Sequence, residues 1–389
     1  MAVFSDAWID RTSTDSVKWK VPKKIYRRDD LLPMWVADMD FLSPREITEA
    51  LIKRAEHGIY GYAAPPGSLF STIRLWLEKR FHWTVPEDSI LLGPGVVSSL
   101  ALAIRALTDA GDKILIQSPV YHPFYQVIKN NGRELAVNPL VYDGNAYTID
   151  FDDLERKLKN GVKALLLCSP HNPVGRVWKR DELEAIGALC EKYGVYILSD
   201  EIHADIVYEP NRHLPIASLH PAWERQSITF MAPSKTFNIP GLQASFMVIA
   251  DRDIRKKVKR EQQKIAFHGP NLFANIAMEA AYQHGEKWLE ELLSYLKENV
   301  RMSIEFLKTE LAAIRPVVPE GTYLLWLDCR ELQLPEEQLM KALIEKGKIP
   351  VGTGEKNYGE EGDGFLRMNI ACPRPMLEEG LQRFKRAFS

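Results

Sequence analysis

"VKALLLCSPHNPVGRVWKRDELEAIGALCEKYGVYILSDEIHADI", residues 162–206, decides the fold. It opens on an apolar run, 162–168, that stops at Ser169-Pro170. The middle, 181–194, has an acidic start, apolar residues at helical spacing and a terminal Gly194, the marks of an amphipathic helix with a glycine stop. A second apolar run, 194–199, leads straight into Asp200. Strands apolar on consecutive residues are covered on both faces, so the unit predicts two parallel strands joined by a crossover helix.

The same alternation extends in both directions. "SILL" (89–92), "KILIQ" (113–117), "SITFM" (227–231) and "ASFMVIA" (244–250) supply further strands, with amphipathic stretches between them. The expectation is an α/β protein with a mainly parallel central sheet flanked by helices. After residue 250 the charge density rises in "DRDIRKKVKREQQK", and 286–314 reads as one long helix leading out of the sheet. A smaller α+β unit follows, with strands at 322–328 and 364–372 and a helix near 336–347. The division expected is an N-terminal arm with part of the small domain over 1–50, a large domain over 51–285, and the long helix and small domain over 286–389.

The 389 residues are enough for such a pair of units and can bury an enclosed site. Hydrophobic content of 46%, charged content of 26% and a net charge of −2 give no field for nucleic acid or an anionic membrane. Small neutral or zwitterionic ligands fit better. Cys168, Cys190, Cys329 and Cys372 never approach CxxC spacing, so neither a zinc site nor a disulfide framework is indicated. No stretch of signal-peptide or membrane-spanning length is seen, and a cytoplasmic protein is expected.

In open α/β sheets ligands collect beyond the carboxyl ends of the strands. Here each strand runs into a polar or aromatic residue: Tyr121 after 113–117, Asn172 after 162–168, Asp200 and His203 after 194–199, and Lys235 after 227–231. Gly93-Pro94-Gly95 opens a helix at Val96, Val97 and Ser98, where free N–H groups and the helix dipole favour a phosphate. Singly, each has an ordinary reading as a cap, a turn or rim packing. Together they supply what pyridoxal 5′-phosphate needs. A lysine forms a Schiff base with its aldehyde, and a carboxylate keeps its pyridine nitrogen protonated so that the ring accepts electrons. An amide donates to the ring oxygen, and an aromatic face stacks on the ring.

With "HNPVGR" (171–176), "SDEIHADI" (199–206), "SKTFNIPGLQ" (234–243) and "FLRMNIA" (365–371), the chain resembles the fold-type I pyridoxal-phosphate enzymes of the class I/II aminotransferase superfamily over essentially its whole length. The resemblance implies that Lys235 is the Schiff-base lysine, Asp200 the pyridinium partner, Asn172 the ring-oxygen donor, Tyr121 the stacking residue and Arg367 the grip on the substrate carboxylate. "MWVADMDF" (34–41) and "YGYAAPPG" (60–67) are similar to those of the cystathionine β-lyase type of C–S lyases. By that likeness the first loop lines the substrate pocket with Trp35 and Ala37, although Trp35 and Phe41 equally fit core packing. The second loop would send Tyr60, or Tyr62, to the cofactor phosphate of a neighbouring subunit, which implies a homodimer.

Two positions depart from the aminotransferase pattern. His203 stands where many members have a tyrosine, and Gln243 where many have a phosphate-binding arginine. The phosphate would therefore lean on the Val96 and Val97 amides, Ser234 and Tyr60. The chemistry implied is β-elimination from a cysteine S-conjugate such as L-cystathionine, with Lys235 as base and Tyr121, beside its stacking role, a candidate proton donor to the leaving sulfur. Transamination uses the same carbanion, and a regulatory protein that keeps the cofactor is a reading from another class.

Overall fold

The computed structural model describes residue 4 and residues 6–388, with Lys356 described by its backbone alone. The ends of the expected arm and small domain at residues 1–3, 5 and 389 lie outside the described residues.

The expected apolar runs become β1 (Ile90–Gly93), β2 (Lys113–Ile116), β6 (Val162–Cys168), β7 (Tyr196–Asp200), β8 (Ser227–Met231) and β9 (Ser245–Val248), and between β2 and β6 the chain adds β3 (Glu134–Val137) and a hairpin of β4 (Leu140–Tyr142) and β5 (Tyr147–Ile149), which are not among them. Seven of them form one sheet in the order β1-β9-β8-β7-β6-β2-β3. β3, β2, β6, β7 and β8 run parallel, and β9 turns back antiparallel between β8 and β1. The parallel strands β6, β7 and β8 are therefore central, and their carboxyl ends point the same way.

Among the described residues four α-helices precede β2: α1 (Val17–Tyr26), α2 (Arg45–Glu56), α3 (Leu69–Phe81) and α4 (Val96–Leu107). α4 covers one face of the sheet, burying Leu100, Ala103 and Ile104 against Ile114, Leu166, Leu198 and Phe230. The helix Arg180–Tyr193 covers the other, burying Leu183, Ile186 and Cys190 against Leu165, Leu167 and Ile197. Gly194 ends it in the left-handed conformation, φ 64°, its N–H bonded to the carbonyls of Cys190 and Glu191. Coverage on both faces is why the strands read as unbroken apolar runs.

The small unit is an antiparallel sheet in the order β10 (Arg315–Val317), β11 (Leu324–Asp328), β13 (Phe365–Asn369), β12 (Gly352–Thr353). The long helix is Glu286–Glu310; Leu311 leaves helical geometry and drops with Ile314 into the core, so the expected helix over 286–314 ends four residues early. The strand expected over 364–372 likewise stops at Asn369. The N-terminal arm packs on this sheet: the Leu32 and Met34 N–H groups donate to Lys348 and Pro350, and Asn369 N–H donates to Met34. α2 runs across the boundary expected at residue 50 and packs on the helix Leu272–His284. The four cysteines are buried and free, and among the described residues no helix is long and apolar enough to cross a membrane.

Candidate active site

The carboxyl ends of β6, β7 and β8 open into a cavity of about 780 Å³ whose far wall comes from the arm and the small sheet. Lys235 sits in a four-residue helical turn, Pro233–Thr236, directly after β8. Its Nζ donates to the carbonyl oxygen of Ala37 at 2.6 Å, and the Tyr323 hydroxyl donates to that same oxygen at 2.9 Å. Burial lowers the Lys235 pKa to about 8, and the nearby Arg367 cation adds to this against the pull of Asp38 and Asp200.

Asp200 is the last residue of β7. Its carboxylate accepts one backbone hydrogen bond, from Ile202 at 3.1 Å. Burial raises its pKa to about 7; the Ile202 bond and Lys235 pull downward, and the neighbouring Glu201 pushes further up. His203, three residues on, is neutral because burial and the Lys235 and Arg367 cations drive its pKa down to about 3. Its Nδ1 is buried without a partner in the protein.

Arg367 reaches the cavity from β13. It donates to Asn172 Oδ1 at 3.0 Å and to the Trp35 carbonyl at 2.8 Å, and its guanidinium lies 5.3 Å from the centroid of the Tyr358 ring. Its Nε is buried and unpartnered. The Tyr121 N–H donates to the Asn172 carbonyl at 3.1 Å, which sets the two residues side by side. Burial raises the Tyr121 pKa, so the phenol stays protonated.

On the opposite rim, Gly95 holds φ 109°, a conformation side chains rarely adopt, and caps α4. Val96, Val97 and Ser98 form the first turn of α4, where N–H groups lack intrahelical acceptors, and all three line the cavity with Ser234 and Gln243.

The structure thus brings Lys235, Asp200, Asn172, Tyr121, His203, Ser234, Val96, Val97, Arg367, Trp35 and Ala37 into one cavity. Trp35 and Phe41 separate: Trp35 lines the cavity with its indole N–H on the Lys18 carbonyl, whereas Phe41 packs edge-on against Phe4 and Tyr295 in the core. Tyr60 does not line the cavity of its own chain; it is 60% exposed, its hydroxyl bonded to the Ala55 carbonyl, and Tyr62 is fully exposed. Tyr323 and Tyr358 are among the contributors that escaped the sequence reading. Tyr323 stands at the head of an apolar run and read only as strand. Tyr358 lies in a polar stretch with no pattern around it.

The donor set suits a phosphorylated pyridine aldehyde. A helix first turn offers amides for the phosphate, Asp200 has acceptor capacity left for a cationic ring nitrogen, and the unpartnered His203 Nδ1 and Arg367 Nε are polar atoms that burial would otherwise penalise.

The sequence model for the family described as aminotransferase class I and II matches residues 30–384. The chain is 44% identical over 381 residues to the cystathionine beta-lyase PatB of Bacillus subtilis (strain 168), covering 98% of each. Among solved structures it is similar to cystalysin from Treponema denticola, which contains a pyridoxal 5′-phosphate cofactor, with a TM-score of 0.95 and 35% identity over 98% of this chain and 97% of that one. It is also similar to the PLP-bound C–S lyase from Staphylococcus hominis, with a TM-score of 0.91 and 33% identity, covering 98% and 97% of the two chains.

Proposed function

The chain belongs to the class I and II aminotransferase family, and from that premise we propose that it is a pyridoxal 5′-phosphate-dependent C–S β-lyase. Its substrates are L-cystathionine and related cysteine S-conjugates, cleaved by α,β-elimination to a thiol, pyruvate and ammonia. The observation that carries this reading is the convergence of Lys235, Asp200, Asn172, Tyr121 and Arg367 on one cavity. Likeness to the Bacillus and Staphylococcus lyases favours elimination over transamination.

When bound, the cofactor supplies an electron sink conjugated to the substrate Cα. The Val96 and Val97 amides and Ser234 would hold its phosphate, Tyr121 would stack on the ring, and His203 would flank it. Asn172, with Oδ1 engaged by Arg367, keeps its NH₂ group for the ring oxygen. Asp200 keeps an oxygen for the ring nitrogen.

Arg367 orients the substrate through its α-carboxylate, because its guanidinium is already fixed by Asn172, the Trp35 carbonyl and the Tyr358 ring. Lys235 Nζ removes the Cα proton as general base. A pKa of about 8 leaves the amine neutral in about one molecule in ten at pH 7, far more than an exposed lysine offers. Tyr121, kept protonated by burial, donates its hydroxyl proton to the leaving sulfur. Tyr26, Trp35, Met340 and Val351 form a largely apolar outer wall suited to a thioether side chain.

The functional unit in this reading is a homodimer in the cytoplasm. Ile59, Tyr60 and Tyr62 stand exposed on one stretch, and Tyr60 serves the phosphate of the neighbouring subunit. The cofactor domain runs from α2 through residue 285, and the two ends of the chain form the smaller one. The test supplies L-cystathionine without any 2-oxo acid and measures pyruvate. Turnover supports the lyase. A requirement for an added 2-oxo acid would make the protein a transaminase, and inactivity with the cofactor bound would favour a regulatory role.

A further inference from the structure

We infer that Asp205 is a positioning residue for Lys235, tying the segment that carries Asp200 and His203 to the turn that carries the lysine by way of Thr236. The inference rests on the lyase reading only for what the site does; the geometry stands apart from it.

Asp205 is 4% exposed and does not line the active-site cavity. One carboxylate oxygen accepts from the Thr236 hydroxyl at 2.8 Å, and the other accepts from the Trp76 indole N–H at 3.1 Å. The Arg80 Nε lies 3.7 Å away, an ion contact too long for a hydrogen bond. A carboxylate taken out of water loses hydration worth several kcal/mol, and apolar packing often serves stability as well or better. A buried charge here therefore calls for a reason other than stability.

The geometry supplies one. Thr236 is fully buried and adjoins Lys235 in the turn Pro233–Thr236. Successive residues on a helical turn point about 100° apart, so anchoring the Thr236 side chain fixes the rotation of the turn and hence the direction in which Lys235 leaves it. The next residue, Phe237, is wedged against Trp76 and Trp288, at ring distances of 5.7 and 6.1 Å. Trp76 thus touches both the carboxylate and the end of the turn.

The other end of the tie is equally fixed. Ile206 N–H donates to His203, and Thr322 N–H donates to Ile206. Glu201 accepts from Ser199 at 2.8 Å and pairs with His213 at 2.7 Å. Asp205 therefore links two rigid pieces, one bearing Asp200 and His203, the other Ser234 and Lys235. It stands outside the cavity lining and acts through Thr236.

The test compares Thr236→Val, which keeps the shape and removes the donor, with Thr236→Ser, which restores it, and with Asp205→Asn, all loaded with pyridoxal 5′-phosphate beside the parent protein. Three quantities are read: the pH midpoint of the visible absorption band, the rate of cofactor loss on dilution, and kcat and KM for L-cystathionine. The expected result is a midpoint moved by about half a pH unit or more in Thr236→Val and Asp205→Asn. Cofactor loss should be faster, and kcat should fall about 10- to 100-fold with KM changed less than about threefold. Thr236→Ser should match the parent. A Thr236→Val protein with midpoint and kcat unchanged within about twofold, whose melting temperature alone falls, would overturn the inference. If Asp205→Asn fails to fold, the threonine pair still decides. A parent protein without turnover would sink the lyase reading alone, because the spectral midpoint needs no substrate.

Discussion

Two carboxylates, Asp40 in the packing behind the loop 34–41 and Asp200 in the cavity, are buried to a similar degree and behave in opposite ways. Asp40, 2% exposed, is saturated: it accepts from Lys18 at 2.5 Å, from Arg11 at 2.8 Å and from the Trp19 indole at 3.1 Å. Burial alone would raise its pKa, but the Lys18 and Arg11 cations outweigh that and hold it below the ordinary range. Asp200, 4% exposed, has one backbone donor, and its pKa rises to about 7. The first carboxylate belongs to a latch that holds α1 against the loop 34–41, and that latch is complete within the chain. The second is left incomplete. In the cavity, Asp200, the neutral His203 through its Nδ1 and Arg367 through its Nε leave polar capacity that a bound group can satisfy.

Breaking the incomplete side should abolish chemistry. Lys235→Ala removes both the amine that holds the cofactor and the base for Cα, so pyruvate release from L-cystathionine should fall by about 10⁴-fold or more. A variant with near-normal rates would refute the assignment. Asp200→Asn should lower kcat by about 10² to 10³-fold, because an amide cannot hold the ring nitrogen protonated. It should also stabilise the cofactor-free protein. An acid whose folded pKa is raised lends stability below its unfolded pKa, near 3.8, and loses it as pH rises through about 7. Removing that charge should therefore raise the melting temperature of the cofactor-free protein by about 2 °C or more at pH 8, and leave it nearly unchanged at pH 4. A drop at pH 8 would mean that Asp200 has partners the geometry does not show.

The two sides were not equally legible from sequence. The incomplete side announced itself, because Asn172, Asp200 and Lys235 each stand just past an apolar run where a polar residue is conspicuous. The latch did not. Arg11, Lys18 and Asp40 lie on an arm rich in charge, and a lysine reads as solvated unless its partner is known; Lys18 is 1% exposed only because Asp40, 22 positions away, folds back onto it. Among the strands, the edge strand β3 and the hairpin β4/β5 went unread. β3 is only four residues long and partly exposed, and the hairpin strands are three residues each, too short for a period to show. The two-residue strand β12 exists only through its pairing with β13. Asp205 was in plain view within "SDEIHADI", but nothing in sequence says that Thr236 will meet it.

Breaking the complete side should damage stability. Asp40→Asn keeps an amide oxygen near Lys18 but removes the close negative charge, leaving the Asp38 carboxylate, 3.6 Å away, as the remaining anion beside the Asp38 carbonyl at 3.2 Å. The expected loss is about 3 kcal/mol at pH 7, read from urea midpoints. Asp40 has a depressed folded pKa, so its contribution is present above pH 3.8 and fades as pH falls through the lower folded value. The difference between parent and variant should shrink below pH 4. An equal loss at pH 7 and pH 3 would assign the effect to packing instead of charge.

The gentlest test changes no residue. Attachment of the cofactor aldehyde requires a neutral Lys235 amine, and the fraction neutral falls about tenfold for each pH unit below the pKa. With that pKa near 8, the rate at which the cofactor-free protein takes up pyridoxal 5′-phosphate should climb with pH and level off above about 8. An ordinary lysine would keep climbing past pH 10. The linkage has the opposite sign to that of Asp200: a depressed lysine lends stability above its unfolded pKa of about 10.5 and loses it as pH falls through about 8. Near pH 7 to 8 the cofactor-free protein thus carries the penalty of a charged Asp200 and a charged Lys235 together. A cofactor that gives one a cation and takes up the amine of the other relieves both at once, so the rise in melting temperature on loading should be larger at pH 8 than at pH 5. A larger rise at pH 5 would mean that these two groups are not what the cofactor completes.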